Sequence, residues 1–521
     1  MPQSMQHNAL IQALLKPTSY PHPVDRIDLI ETHISWVLLT GQYAYKIKKP
    51  VNFGFVDFTT LEKRRYYCER EITLNKRLAP EIYLSVTKIT GTVAAPSLSQ
   101  EGEALEYAVK MLQFSQSDLM SEQLQAGKVA FDDMTSIAEH IAAFHTNTAT
   151  ATYQSDYGSA EQIRSAMLHN FSLVKPALDD PSYLEMTEQV EAWSKQRYKE
   201  LLPLFAKRKL HGFVRECHGD LHLGNITKYK QQWMAFDCIE FNDEFRWIDT
   251  MSEVAFLLMD LDMSGKRELG THFLNSYLNT SGDFTGLSVL EHYKTYRAMV
   301  RAKVAALQIG ELDETAPDRN ILIPKLHAYI ELAFSYTTRT RPCLFLMYGL
   351  SGSGKSWLAE KVSHKINAIW IRSDKERKRK FENKQDNLYS EDITQQVYNH
   401  LTELAEQVIL AGHHVIIDAT FLKRQHRESF YQLANKLQAP YRILHCHSQQ
   451  KILESRIQQR SREINNISDA DIAVLGLQTR SMEQLTREEC QNAFSVDTAQ
   501  ENSISDLIDK TRSLCESLSA G

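Results

Sequence analysis

Cys343–Ser356 reads CLFLMYGLSGSGKS, and this stretch decides the fold of the C-terminal part of the chain. An apolar run leads into a glycine-rich turn, and a helix-type pattern begins at Lys355. The turn matches G-x-x-x-x-G-K-[ST] from Gly349 to Ser356, in the strand–loop–helix context that a phosphate-binding loop requires. Each residue type has a reason. Gly349, Gly352 and Gly354 let backbone N–H groups turn inward around phosphate oxygens, with Ser351 and Ser353 completing the loop. Lys355 brings a positive charge to the β- and γ-phosphates. Ser356 offers a hydroxyl to Mg2+, and the helix N-terminus adds its partial charge.

Outward from this loop, short apolar runs alternate with helical segments: CLFLMY, AIWIR, HVIID and RILHC. That alternation predicts a parallel sheet of βα units. Asp418 ends HVIID, where a carboxylate can hold the metal through water. Asp374 follows AIWIR in RSD. There it can take a proton from an acceptor hydroxyl, or, with Ser373, cap the charged helix that follows. Arg456 and Arg460 lie on a helix with Arg462 just beyond, placed for a lid that stabilises transferring phosphate. KERKRK, Lys375 to Lys380, puts five cations in six positions, as a solvated helix face or a phosphate-holding surface.

Upstream, SYTTRTRP (Ser335 to Pro342) is polar, ends in proline and reads as a domain boundary. The first ~110 residues predict a small mixed lobe, on strand and hairpin patterns of the usual kind. A hairpin turns at Thr40-Gly41-Gln42, a helix runs from about Thr60 to Leu78, and strands follow around Ile82–Ile89 and Leu105–Leu112. From Phe131 onward helical periodicity dominates, with Ile137, Ile141 and Phe144 on one face.

Inside this helical region stands HGDLHLGN, His218 to Asn225. It holds H-x-D-x-x-x-x-N, the spacing of a kinase catalytic loop. A carboxylate, Asp220, orients and deprotonates the attacking hydroxyl, and an amide oxygen, Asn225, binds Mg2+. Asp237 ends the apolar run WMAFD as a second metal ligand. His145 and His222 read first as packed core histidines.

Composition excludes several classes. The 521 residues are 43% hydrophobic and 24% charged, which argues against a disordered or collagen-like chain. Net charge is −6. From Arg341 onward there are 24 Lys+Arg and 23 Asp+Glu, leaving 35 and 42 for the first 340 residues. This acidity weighs against a general nucleic-acid coat protein. Seven scattered cysteines without a CxxC pair fit a reduced compartment. With no membrane-length apolar run and no signal-peptide pattern, the expected location is the cytoplasm.

GLSGSGKS, IRSD, IIDATF and RIQQRSR resemble the P-loop small-molecule kinases, a branch with gluconate and shikimate kinases, zeta-toxin kinases and the kinase part of phage polynucleotide kinase. This resemblance covers roughly Arg341 to Gly521. HGDLHLGN and IAEHIAAFHTNT resemble the aminoglycoside phosphotransferase and choline-kinase group. That resemblance implies a strand lysine on the α/β-phosphates and a helix glutamate orienting it. Lys46 in AYKIKK matches, with Glu71 or Glu69 as partner, and residues near Met111 to Gln113 would meet adenine. Strand alternation places Lys46 and Lys48 on one face and does not choose between them. The first hairpin lacks G-x-G-x-x-G and no APE-like segment follows Asp237, so a conventional protein kinase is disfavoured.

The combination, with HISWVLLTGQYAYKIKKPVNFGFVDFTTLEKRR and LNKRLAPEIYLSV, resembles a bacterial two-domain family that fuses an aminoglycoside phosphotransferase-like domain to a P-loop ATPase. The implied fold class is α/β and α+β: a bilobal protein-kinase-like domain over 1–335, then a P-loop NTPase parallel-sheet domain over 342–521. The implied activity is transfer from ATP, with Mg2+, to small-molecule hydroxyls at two sites. The alternatives are a regulatory protein in which one ATP domain gates the other, and a nucleic-acid 5′-hydroxyl kinase in the C-terminal domain.

Overall fold

The computed structural model describes residues 3–54, 56–99, 101–338, 341–381, 390–460 and 471–519. Contacts group them into two compact units. One joins Met1–Leu168 with Glu200–Asp260; the other joins His169–Lys199 with Leu261–Gly521.

The first unit is built on an antiparallel sheet of β1 (Asp28–Glu31), β2 (Ser35–Leu39), β3 (Tyr43–Lys48), β4 (Tyr83–Thr92), β5 (Ala95–Leu98) and β6 (Glu106–Leu112). The spatial order is β1-β2-β3-β6-β4-β5, with β3 near the middle. On one face, Tyr45 and Ile47 bury with Leu10, Leu14, Trp36 and Leu38. On the other, Ala44 packs with Cys68, Tyr83 and Val109, where the helix Leu61–Asn75 lies. Lys46 and Lys48 share parity with Ala44 and so face that helix. A one-residue slip of β3 would drive both lysines into the apolar face, so burial of Tyr45 and Ile47 fixes the register. The helix begins where Thr60 Oγ1 accepts from Lys63 N at 3.2 Å.

The rest of this unit is mostly helical. Phe131–Asn147 buries Met134, Ile137, Ala138 and Ile141, as its 3.6-residue pattern requires. Strand β7 (Val214–Glu216) leads into the HGDLHLGN loop. A hairpin of β8 (Ile226–Tyr229) and β9 (Gln232–Ala235) follows, and β10 (Trp247–Asp249) pairs with β7. Lys230 and Gln231, at φ 47° and 66°, supply the left-handed turn that suits the strand twist. The hairpin sends the chain back on itself, so Phe236 N donates to Asn225 O at 2.9 Å. This return brings Asn225 and Asp237 together.

The second unit holds a parallel sheet of β11 (Leu344–Tyr348), β12 (Ile369–Arg372), β13 (Val415–Asp418), β14 (Tyr441–His447) and β15 (Ala493–Asp497). Its order is β12-β13-β11-β14-β15. Four of these are the expected apolar runs. The fifth, β15, is an edge strand whose half-exposed pattern carried no apolar signal. Phe345, Met347, Leu358, Val362, Ile416 and Leu444 form the core. The chain passes from β11 to β12 on one side and later from β13 across β11 to β14 on the other, and this reversal of strand order opens a crevice at the strands' carboxyl ends. The glycine-rich loop sits there. The architecture is thus mixed α/β, an antiparallel curled sheet followed by a parallel one. Among the described residues no helix is long and apolar enough to cross a membrane.

Candidate active sites

In the first unit, a buried glutamate organises two lysines. Glu71 Oε1 lies 2.9 Å from Lys46 Nζ, and Glu71 Oε2 lies 2.7 Å from Lys48 Nζ. Lys46 also pairs with Asp237, and Lys48 with Glu240. Lys48 is fully buried, while Lys46 stands beside Asp237, whose carboxylate is 43% exposed. Lys46 is therefore the lysine paired with a solvent-exposed carboxylate. Glu69 is exposed and bound to Arg65 at 2.9 Å, which leaves Glu71 as the organising carboxylate.

Charge balance explains the protonation states. Burial alone would push Glu71 up, but Lys46 and Lys48 outweigh it and hold Glu71 at about 2. Burial pushes Glu240 up, with Lys48 pulling the other way and Glu71 adding repulsion. Burial would lower Lys46, yet Asp237, Glu71 and Glu240 raise it well above its ordinary value. Three carboxylates, Glu71, Asp237 and Glu240, face two lysines, and Asp237, the exposed one, is placed to take a divalent cation.

The residues of the HGDLHLGN loop gather on the same side. Asn225 Nδ2 donates to Asp220 Oδ2 and to Asp220 O, both at 3.0 Å, which leaves the Asn225 amide oxygen for a metal. Asp237 adopts φ 63°, and its N donates to Tyr83 OH at 3.0 Å. Residues behind the loop hold it still. Glu253 accepts from Gly219 N at 2.7 Å and lies 2.9 Å from His145 Nε2. Burial opposes ionisation of Glu253, but His145 and these bonds hold it near about 2. His145 is thus a loop brace, and His222 lies 3.4 Å from Asp220. Leu223 N donates to Asp260 Oδ2 at 3.0 Å. Met111 is buried in β6, and Gln113 Oε1 accepts from Gly41 N at 2.8 Å, tying the turn before β3 to the end of β6.

In the second unit the glycines of the loop are obligatory. A Cβ at Gly349 would stand 2.2 Å from Cys446 O, and one at Gly352 would stand 2.7 Å from Leu453 O. Gly352 and Gly354 also take φ 79° and 82°, where side chains are strained. Ser353 Oγ is buried without a hydrogen-bond partner, a donor that an anion in the loop would satisfy. Ser351 N donates to Gln478 Oε1 at 2.8 Å, Lys355 Nζ donates to Leu350 O at 2.8 Å, and Ser356 is exposed at the start of its helix. The cradle fits a nucleotide phosphate and its metal.

Asp418 ends β13 opposite Arg372 of β12 and accepts from Trp370 Nε1 at 3.2 Å. Asp374 stands in the first turn of the helix Ser373–Phe381. Burial and the neighbouring Asp418 raise Asp374, against Arg377, Lys355 and Arg372. A carboxylate raised this way is a better proton acceptor.

The basic residues divide. Arg456 is anchored, not free: it donates to Thr498 Oγ1 at 2.8 Å, Thr498 O at 3.0 Å and Gly352 O at 3.4 Å. Thr498 Oγ1 in turn donates to Ser353 O at 2.9 Å. Arg456 therefore braces the loop from behind. The Arg460 side chain and Arg462 lie outside the described residues. Within KERKRK, Arg377 is buried, and Arg379 pairs with Glu376 and donates to Asn279 O at 2.6 Å. Arg427 is also buried, 2.6 Å from Glu489. Glu240, Tyr83, Gln478 and Thr498 belong to no short motif, so sequence reasoning had no signal for them.

The family model described as an AAA domain matches residues 344–485. The uncharacterized protein Rv2004c of Mycobacterium tuberculosis (strain ATCC 25618 / H37Rv) is 30% identical over 470 residues, 87% of this chain and 90% of the relative. The chain belongs to this family. Mb2027c of Mycobacterium bovis is similar to the same degree. Among solved structures, a choline/ethanolamine kinase family protein from Mesorhizobium loti is similar at TM-score 0.39 and 9% identity, covering 64% of this chain and 99% of that one. A gluconokinase from Sinorhizobium meliloti 1021 is similar at TM-score 0.27 and 18% identity, covering 35% and 96%.

Proposed function

We propose that this protein is an ATP- and Mg2+-dependent phosphotransferase with two nucleotide sites, one over 1–335 and one over 342–521, each phosphorylating hydroxyl groups of small molecules. The observation that carries the reading is the convergence of Lys46, Glu71 and Asp237 with the Asp220–Asn225 loop in the first unit, together with a glycine cradle at Gly349–Ser356 in the second.

In the first site, Lys46 would hold the α/β-phosphates, oriented by Glu71. Asp220 would accept the proton of the attacking hydroxyl, while Asn225 and Asp237 are the ligands for Mg2+. In the second, backbone N–H groups, Ser353 and Lys355 would grip phosphate, Ser356 and Asp418 are the metal side, and Asp374 would take the acceptor's proton. Bound Mg2+ supplies neutralisation of phosphate charge. Arg460 remains the proposed lid cation, and Arg456 would act through the loop it braces. The buried cysteines suit a reduced cytoplasmic setting.

Engagement of Arg377 and Arg379 within the protein favours a small-molecule acceptor over a nucleic-acid strand. The test is transfer from γ-labelled ATP into a fractionated bacterial metabolite extract, with wild type, Asp220→Asn and Lys355→Ala side by side and a 5′-hydroxyl RNA oligomer as separate acceptor. A labelled metabolite lost in one variant alone supports the reading. Label in RNA that depends on Lys355, or slow ATP hydrolysis with no labelled product, overturns it in favour of the end-kinase or regulatory alternative.

A further inference from the structure

The P-loop helix Lys355–Ile366 carries a second cluster on the face turned away from its nucleotide end. Glu360 and His364 are four residues apart, so they share one helical face. His272, on the helix Arg267–Ser281, meets them. His272 Nδ1 lies 2.9 Å from His364 Nε2 and 3.7 Å from Glu360 Oε1. One ligand atom from each of the three lies within 4.8 Å of the others. Both histidines are buried, and Glu360 is partly exposed, which gives an ion a path in.

We propose that His272, Glu360 and His364 form a binding site for a zinc-type divalent cation that fastens the P-loop helix to the helix Arg267–Ser281. Nothing in the phosphotransferase reading uses these residues. Two imidazoles and a carboxylate are the donor set of borderline ions such as Zn2+, and hard Mg2+ prefers oxygen alone. Tetrahedral coordination with Zn–N bonds of about 2.0–2.1 Å places two ligand nitrogens roughly 3.3 Å apart. The 2.9 Å separation reaches that value by a shift of a few tenths of an ångström in the rings.

The surroundings hold the ligands in place. Thr271 Oγ1 donates to Asn367 Oδ1 at 3.0 Å, and Asn275 Nδ2 donates to Ala368 O at 3.0 Å. Trp370 N donates to Asn275 Oδ1 at 2.8 Å. The nearby lysines are drawn aside: Lys365 lies 2.7 Å from Glu268, and Lys361 lies over the Trp357 ring. These bonds fix the spacing of the two helices whether or not an ion is present, which is the preorganisation a metal site needs. Without an ion, a hydrogen bond between the two rings accounts for their approach and Glu360 has no essential part. The two pictures differ in what Glu360 does.

The test uses full-length protein stripped with chelator and kept in excess Mg2+, so that oxygen-donor sites are filled. Co2+ is titrated in and its visible absorption followed, then Zn2+ is added in competition. Wild type should bind one Co2+ per chain with the strong absorption of low-coordinate cobalt, and Zn2+ should displace it. His364→Ala should weaken binding by about 100-fold or more, and Glu360→Gln by roughly 10-fold, the scale of ligand-shell changes. Cys490→Ser, which removes the exposed thiol, should bind like wild type. Absence of saturable binding, or equal affinity in wild type and Glu360→Gln, overturns the proposal. Should His364→Ala not fold, Glu360→Gln decides alone, because that side chain is partly exposed and keeps its shape.

Discussion

Glu71 Oε1 lies 2.9 Å from Lys46 Nζ, and the glutamate is fully buried there. The same carboxylate reaches Lys48, so two lysines share one counter-charge but answer to different partners. Lys46 looks to Asp237 at the opening, and Lys48 to buried Glu240. Their replacements should therefore separate. Lys46→Met leaves Asp237 solvated and Glu71 still paired. It should lower phosphoryl transfer at the first site by ~100–1,000-fold with little change in denaturant midpoint. Lys48→Met strands Glu240 in the interior and should cost about 3–5 kcal/mol of stability. Denaturant titration and single-turnover transfer on both variants would check this. Equal loss of transfer with no loss of stability in Lys48→Met would reverse the assignment.

Asp220→Asn is a near-isosteric change. The Asn225 amide can still donate to the side-chain oxygen, which keeps the 3.0 Å contact available. Only the proton acceptor is lost. Transfer from the first site should fall by ~100–10,000-fold while nucleotide affinity persists. Calorimetric titration with a non-hydrolysable ATP analogue would measure affinity, and labelled transfer the rate. Retained turnover with an identified acceptor would sink the assignment of Asp220.

At the P-loop, two changes should act differently. Lys355→Ala removes a charge and breaks no packing. It should leave the fold intact and take nucleotide stoichiometry from two per chain to one. Gly352→Ala places a Cβ 2.7 Å from Leu453 O at φ 79°. It should lose the same nucleotide and also stability, by ~1–3 kcal/mol of backbone strain. Binding stoichiometry by equilibrium dialysis, with melting temperature alongside, separates the two. Two nucleotides still bound to Lys355→Ala would disprove a role for this loop.

Both proposed phosphate-binding centres were legible because their chemistry is local. Gly349–Ser356 fits eight consecutive residues, and Asp220 and Asn225 are five apart in one loop. The β11–β14 strands announced themselves as apolar runs. What stayed hidden depends on distance along the chain. Lys46 and Lys48 have the same parity, so only their partners, Asp237 and Glu240, some 190 residues away, tell them apart. Arg456 looked like a free lid cation because Thr498 is 42 positions on. KERKRK read as a patch, since its clamps to residues 278 and 279 lie about a hundred positions back. The polar run at Ser335–Pro342 reads as a linker, and its composition carries no sign that helix Arg267–Ser281 packs in one compact unit with β12. Charge pattern marks a linker, but not which apolar faces meet.

The second unit should also be acid-sensitive through histidines outside both sites. Burial lowers His292 to about 3. Burial, with His413 adding repulsion, lowers His414 to about 4. His414 Nδ1 accepts from Cys343 N at 3.0 Å, a bond only the neutral ring can make. An unfolded histidine titrates near ~6.5, so between that value and 4 the unfolded chain binds more protons than the folded one. The stability these rings contribute is fully present above pH 6.5. It is lost as pH falls toward their folded values, at up to about 1.4 kcal/mol per pH unit per ring. Urea midpoints from pH 7.5 to 5 should decline accordingly. His414→Asn retains an acceptor for Cys343 N but cannot titrate, and should flatten the decline by about one ring's share. An identical slope in that variant would remove His414 as a cause of the acid sensitivity.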